Sequence, residues 1–115
     1  MMKNYRIAIA LLVLTSAVHA QGVPGDRQSM QEEAYSTYFR CIGVYAGRYI
    51  KSEALVADVA DAAMSACQDR YQDLLNATSA LLGNLPAANA VLRDIRETAR
   101  SFAVRTVLEA RYPLR

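Results

Sequence analysis

Residues 41–67 read CIGVYAGRYIKSEALVADVADAAMSAC, a run bounded by the two cysteines of the 115-residue chain. Cys41 lies 13 residues before Ala54 and Cys67 lies 13 after it, so a reversal near Ser52 to Leu55 brings both side chains to the same height on facing helices. An antiparallel pair with axes about 8 to 10 Å apart lets inward-pointing cysteines reach the roughly 5.5 Å separation of alpha carbons that a disulfide needs. One structural disulfide is the simplest reading of two cysteines on facing core faces, given the export signal read at the N-terminus. The alternative is a pair of free buried thiols or a redox pair, but the spacing does not resemble a Cys-x-x-Cys motif with its lowered thiol pKa. Closing a loop of this length stabilises a fold by roughly 3 to 4 kcal/mol on the chain-entropy estimate, a large share for a small core.

Outward from this hairpin the chain reads as helix. Between Pro24 and Pro86, apart from Gly25, the only glycines are Gly43, Gly47 and Gly83, and strong helix formers dominate. Helix A is predicted from about Asp26 or Arg27 to about Lys51, with Asp26 as N-cap and Glu32 and Glu33 near the positive end of its dipole. Ala34, Tyr38, Cys41, Tyr45 and Tyr49, with Tyr35, Ile42 and Ala46 beside them, follow the three-four spacing of a buried stripe. Ser52 is the predicted breakpoint and cap of the next helix.

Helix B is predicted from about Glu53 or Leu55 to Leu82. Its stripe is Val56, Val59, Ala60, Ala63, Met64, Cys67, Tyr71, Leu74, Leu75, Thr78, Leu81 and Leu82, and its outer face is acidic, with Asp58, Asp61, Asp69 and Asp73. Gly83 supplies a left-handed C-cap, and Pro86 suits the first turn of helix C, predicted from about Pro86 to Tyr112. Helix C turns Val91, Leu92, Ile95, Ala99, Phe102, Ala103, Thr106 and Val107 inward, and Arg93 with Glu97 and Arg105 with Glu109 form i,i+4 pairs. Opposite charge on helices B and C favours their antiparallel pairing. The expected fold is therefore all-α, an antiparallel three-helix bundle made of a helical hairpin plus a third helix and stapled by one disulfide.

The N-terminus carries a different signal. Lys3 and Arg6 precede the uncharged run IAIALLVL from Ile7 to Leu14, and Val18 and Ala20 place small residues where signal peptidase needs them, before Gln21. The competing reading is a membrane anchor, but the run is short of the roughly 20 residues needed to span a bilayer. The expected organisation is a signal peptide over residues 1–20, a polar lead over 21–26 and a single helical domain over 27–115. Cleavage removes Lys3, Arg6 and the only histidine, His19, so the chain's 13 basic residues fall to 11, equal to its 11 acidic ones. A neutral mature chain does not favour counterion-release binding, so no nucleic-acid partner is expected, and no membrane contact after cleavage.

Without histidine the mature chain is expected to run neither Ser-His-Asp nor Cys-His catalysis, and it lacks the usual nitrogen ligand for transition metals. Glycine-rich nucleotide motifs and EF-hand spacing are absent, so neither cofactor nor metal is expected, nor catalytic residues. Asp58 with Asp61, and Asp69 with Asp73, share helical faces and could form an acid-base pair, but they read better as solvating helix B. Asn76-Ala77-Thr78 matches the glycosylation sequon inside a predicted helix, where chance occurrence is the simpler reading.

Tyrosine is the unusual component. Tyr35, Tyr38, Tyr45 and Tyr49 crowd onto helix A around Phe39, and they cannot all point the same way. A partner surface of Tyr35, Phe39, Arg40, Arg48 and Tyr49 is the functional hypothesis, set against a broad core contacted from two sides. The chain is similar to small exported two-cysteine helical proteins of Gram-negative bacteria in its leader, cysteine spacing and helical content; that likeness implies a periplasmic or secreted location and no mechanism. The expected function is a non-catalytic interaction module, inhibitor-like or immunity-like or self-associating as a homodimer. The alternative is an envelope protein that takes a small apolar ligand between helices, where Ala60, Ala63, Ala99 and Ala103 either leave a cavity or allow close packing.

Overall fold

The computed structural model describes the backbone of residues 22–113 and side chains from residue 25 onward. The signal peptide expected over residues 1–20 and its cleavage site lie outside the described residues. Four helices follow one another: α1 (Gly22–Arg48), α2 (Val56–Ala66), α3 (Gln68–Leu82) and α4 (Leu85–Arg111). Contacts fix their directions. The Cys41–Cys67 disulfide, with alpha carbons 5.9 Å apart, and the Tyr38–Tyr71 ring contact at 5.7 Å set α2 and α3 antiparallel to α1. The Phe39–Phe102 contact at 5.7 Å and the Arg111 bond to the Ile50 carbonyl set α4 alongside α1 in the same direction. The result is an all-α bundle of three rods, α2 and α3 forming the middle one.

Helix B of the sequence reading is thus two helices. The break is a single residue, Cys67, at φ −101° and ψ 15°. Hydrogen bonding runs on through it, because the Cys67 N–H reaches the Ala63 carbonyl at 3.1 Å and the Tyr71 N–H reaches the Cys67 carbonyl at 3.0 Å. The residue tied to α1 takes up the adjustment in its own torsions while its neighbours stay helical.

The helix ends also differ from expectation. Helix α1 starts at Gly22, so residues 22–26 are its first turns rather than a lead, and Asp26 lies inside it instead of capping it. Pro24 is tolerated there because the first-turn N–H groups have no helical acceptor to lose. Helix α1 stops at Arg48, and a turn over 49–55 carries the reversal. Ser52 does not cap α2: its Oγ donates to the Tyr49 carbonyl at 2.9 Å and accepts from the Ala54 N–H at 3.4 Å, which shapes the turn itself. The N-cap of α2 is Leu55, with no side-chain bond. At the other end Gly83 takes the left-handed conformation expected of it, with φ 78°, and Asn84 is the N-cap of α4, its Oδ1 accepting from the Ala87 N–H at 2.7 Å.

The core runs along the shared axis. Tyr38, Ile42 and Ala46 of α1 meet Val59, Ala60 and Met64 of α2, then Cys67, Leu74, and Leu92, Ala99, Ala103 and Val107 of α4. Ile42 and Ala46, placed beside the stripe in the sequence reading, lie at its centre with no exposure. Tyr49, Leu81, Leu82 and Val91, expected inside, are exposed. Tyr49, Leu81 and Leu82 lie at or just beyond helix ends, whereas Val91 turns outward from a covered stretch of α4, since Ala88 and Leu92 on either side of it are buried. Among the described residues the ion pairs are Arg70–Asp73 and Arg100–Asp61, not the i,i+4 pairs of helix C. The second of these joins the basic and acidic rods as the charge pattern implied.

Candidate interaction surfaces

The five residues of the expected partner surface do not form one patch. Tyr35 and Phe39, one turn apart on α1, stack with ring centroids 4.6 Å apart. Phe39 is half-buried and rests on Phe102 of α4 and edge-on against Tyr38, while Tyr35 is 39 % exposed. Phe102 also packs over the backbone at Gly43, where a side-chain carbon would lie in ordinary contact with its ring at 3.5 Å. Arg40 and Arg48 face elsewhere. Arg40 lines a groove with Thr37, Cys41, Val44, Tyr45 and Arg70 on the α3 side, and the Arg48 guanidinium lies 4.6 Å over the Tyr45 ring. Tyr49 sits in the turn beyond α1, exposed.

Tyr38 explains why the aromatic ladder cannot be a single surface. It is 1 % exposed, and its hydroxyl has only the Met64 thioether as partner, at 3.8 Å. Burial pushes its pKa up from 10.0 to about 12, opposed by the nearby Arg96 charge and reinforced by Tyr71. One tyrosine of the group is core and its neighbours flank it.

A second cluster was not found by sequence reasoning. Arg111, in the last turn of α4, reaches across to the turn over 49–55 and donates to four main-chain carbonyls: Ile50 from Nε at 2.7 Å, Ala54 from Nη1 at 2.8 Å, and Tyr49 and Ser52 from Nη2 at 2.9 Å each. Nη2 also meets Ser52 Oγ at 3.3 Å. The planar fork of a guanidinium suits this task, because it presents five donors in fixed directions. All four carbonyls belong to the turn after α1, where the chain is not helical and its carbonyls lack a regular ladder of partners. The signal was available: Arg111 follows buried Val107 by four residues, so a charge lies on the core stripe.

The carboxylates do not gather. Asp61 bonds Arg100 at 3.1 Å, and Asp73 lies 3.6 Å from Arg70. Among the described residues no group of three or more His, Cys, Asp or Glu side chains is placed to hold a metal ion. The sequon is locked in α3: Asn76 accepts a hydrogen bond from Gln72 at 3.2 Å, and Thr78 is buried with its hydroxyl lacking a partner. The four facing alanines, Ala60, Ala63, Ala99 and Ala103, are fully buried. Their small size is used for close packing of the rods.

Besides the groove at Arg40, open grooves lie on both sides of the middle rod. One of about 230 Å³ lies between α1 and α3, lined by Met30, Glu33, Ala34, Thr37, Arg70 and Asp73. The other, of about 260 Å³, lies between α2 and α4 around Met64. No helix among the described residues is long and apolar enough to cross a membrane. The disulfide is of the kind that persists in oxidising compartments. No protein family, no curated protein and no solved structure shows detectable similarity to the chain.

Proposed function

We propose that the chain is a non-catalytic protein-interaction module working in the periplasm or outside the cell, and that it meets its partner, or a second copy of itself, through the Tyr35–Phe39 stack. One observation carries the reading: an exposed tyrosine ring is held against a half-buried phenylalanine that is itself anchored on Phe102 of another helix. Such a ring loses little freedom on binding, because its orientation is already set. Tyrosine brings contact area together with a hydroxyl, and rigid aromatic anchors dominate the energetics of protein interfaces. The signal-peptide pattern and the disulfide support the compartment. Arg40 and Arg48, on other faces of α1, are not part of this surface.

Size-exclusion chromatography of the oxidised protein, with and without Tyr35→Ser, distinguishes the two occupants. If the partner is a second copy, the wild type elutes as a dimer and the variant as a monomer at the same melting temperature. If it is another protein, a photocrosslinking residue at position 35 forms an adduct in extract of the native compartment, while the same group at exposed Ala62 does not. Loss of one central aromatic anchor is expected to weaken binding by about 2 kcal/mol, roughly thirtyfold. A monomer that forms no adduct at position 35, or forms it equally at 62, contradicts the proposal.

A further inference from the structure

The groove between α2 and α4 lies on the opposite flank of α4 from Phe102, and its walls are unlike those of the other grooves. It is lined by Asp61, Met64, Arg93, Arg96, Glu97 and Arg100. Three guanidiniums face two carboxylates, which leaves one unbalanced positive charge in a cleft of about 260 Å³. Two of the three are held in place. Arg100 commits its Nε to Asp61 at 3.1 Å, with no bond from its two terminal nitrogens among the described residues, and Arg96 lies 5.6 Å over the Tyr71 ring. Nearly buried Met64 provides an apolar floor.

We propose that this groove binds an acidic peptide segment of a partner protein, with Arg93, Arg96 and Arg100 as the recognising side chains. Guanidinium is the cation best matched to carboxylate, through paired parallel hydrogen bonds, and here its planes are set before the ligand arrives. The span also fits. Arg93 and Arg100 are seven residues apart, about 10 Å along the helix axis, which is the length of about three residues of extended chain. A cleft open along one side accepts a strand lying lengthwise, and its surplus charge calls for at least one carboxylate more than Asp61 and Glu97 supply. The inference does not depend on the Tyr35–Phe39 surface, since the two lie on different sides of α4.

The probe is tetraglutamate with both ends blocked, titrated into isotope-labelled oxidised protein at low salt and followed by amide chemical shifts. The expected shifts are confined to residues 61–64 and 93–100, and Arg93→Gln with Arg96→Gln lowers the affinity about tenfold or more. A second double variant, Arg27→Gln with Arg105→Gln, removes the same charge at exposed sites outside the groove and is expected to change affinity less than about twofold. Circular dichroism establishes that both variants fold. Equal losses in the two variants mean unspecific attraction and overturn the proposal. So does displacement of the peptide by inorganic phosphate at matched charge, which makes the groove a site for small anions, and so does the absence of any shift.

Discussion

Replacing Arg111 with alanine removes a side chain that joins the two ends of the chain reversal to α4. Its guanidinium makes four bonds to carbonyls, between 2.7 and 2.9 Å, and one to Ser52 Oγ at 3.3 Å. Buried hydrogen bonds to charged groups contribute about 1.5 to 3 kcal/mol each, but most of these are solvent-accessible, and water takes over the carbonyls when the arginine goes. About 0.5 to 1 kcal/mol per carbonyl bond is then the appropriate scale, or about 2 to 4 kcal/mol together. For a domain of this size 1 kcal/mol shifts the melting temperature by about 4 to 8 °C, so Arg111→Ala is expected to melt about 8 to 30 °C lower. Arg111→Lys keeps the charge but offers a single point donor that cannot span carbonyls from residue 49 to residue 54, and is expected to recover less than about half of the loss. Thermal melts followed by circular dichroism measure both. Amide exchange adds a local readout: the Ser52 N–H, bonded to the Tyr49 carbonyl at 3.1 Å, should lose protection before the amides around Ile42 do. A melting temperature within about 3 °C of the wild type, or lysine substituting fully, would show that the fork geometry contributes nothing.

Three further outcomes follow from the same coordinates. Cys41→Ala with Cys67→Ala opens a loop of sequence separation 26 and is expected to cost about 3 to 4 kcal/mol relative to the oxidised wild type, while reduced wild type melts close to the variant. Thr78→Val replaces a buried hydroxyl that has no partner by a methyl of the same shape, and chemical denaturation should find the variant more stable by about 1 kcal/mol; a loss would mean that the hydroxyl is satisfied. Tyr38, with its pKa raised to about 12, favours the folded state as a neutral phenol, so its contribution is complete below the unfolded value of 10.0 and disappears as pH rises from there through about 12. Ultraviolet titration should show an ionisation at about pH 12 that is missing in Tyr38→Phe, and the absence of any such difference would contradict the burial of Tyr38.

How much of this was legible in the sequence depends on the kind of interaction involved. The disulfide register, the left-handed Gly83 and the stripe through Val59, Met64, Leu74, Leu92 and Val107 rest on local periodicity and on one symmetrical spacing, both of which a linear reading contains. Ser52 was misassigned because its hydroxyl had two competing uses, a cap or a turn, and the choice was made by the carbonyl of Tyr49 and the reach of Arg111. The break falls at Cys67, the residue tied to Cys41, and leaves no mark in the helix-forming tendency around it. The partner surface failed as a unit for a geometric reason. Tyr35 and Phe39 share a face, but Arg40 follows Phe39 by one residue and so turns about 100° away. The arginine groove needed a neighbouring rod to become visible, since Asp61 and Tyr71, which hold Arg100 and Arg96, come from other helices.

The account as a whole rests on an exported hairpin closed by its own two cysteines. Intact-mass and peptide mass spectrometry of the protein recovered from its native compartment, alkylated under denaturing conditions without reductant, tests it most directly. The expected result is a chain beginning at Gln21, two hydrogens lighter than its composition, with Cys41 and Cys67 recovered in one linked peptide pair. A chain that retains Lys3 and Arg6, or two alkylated cysteines, would contradict it.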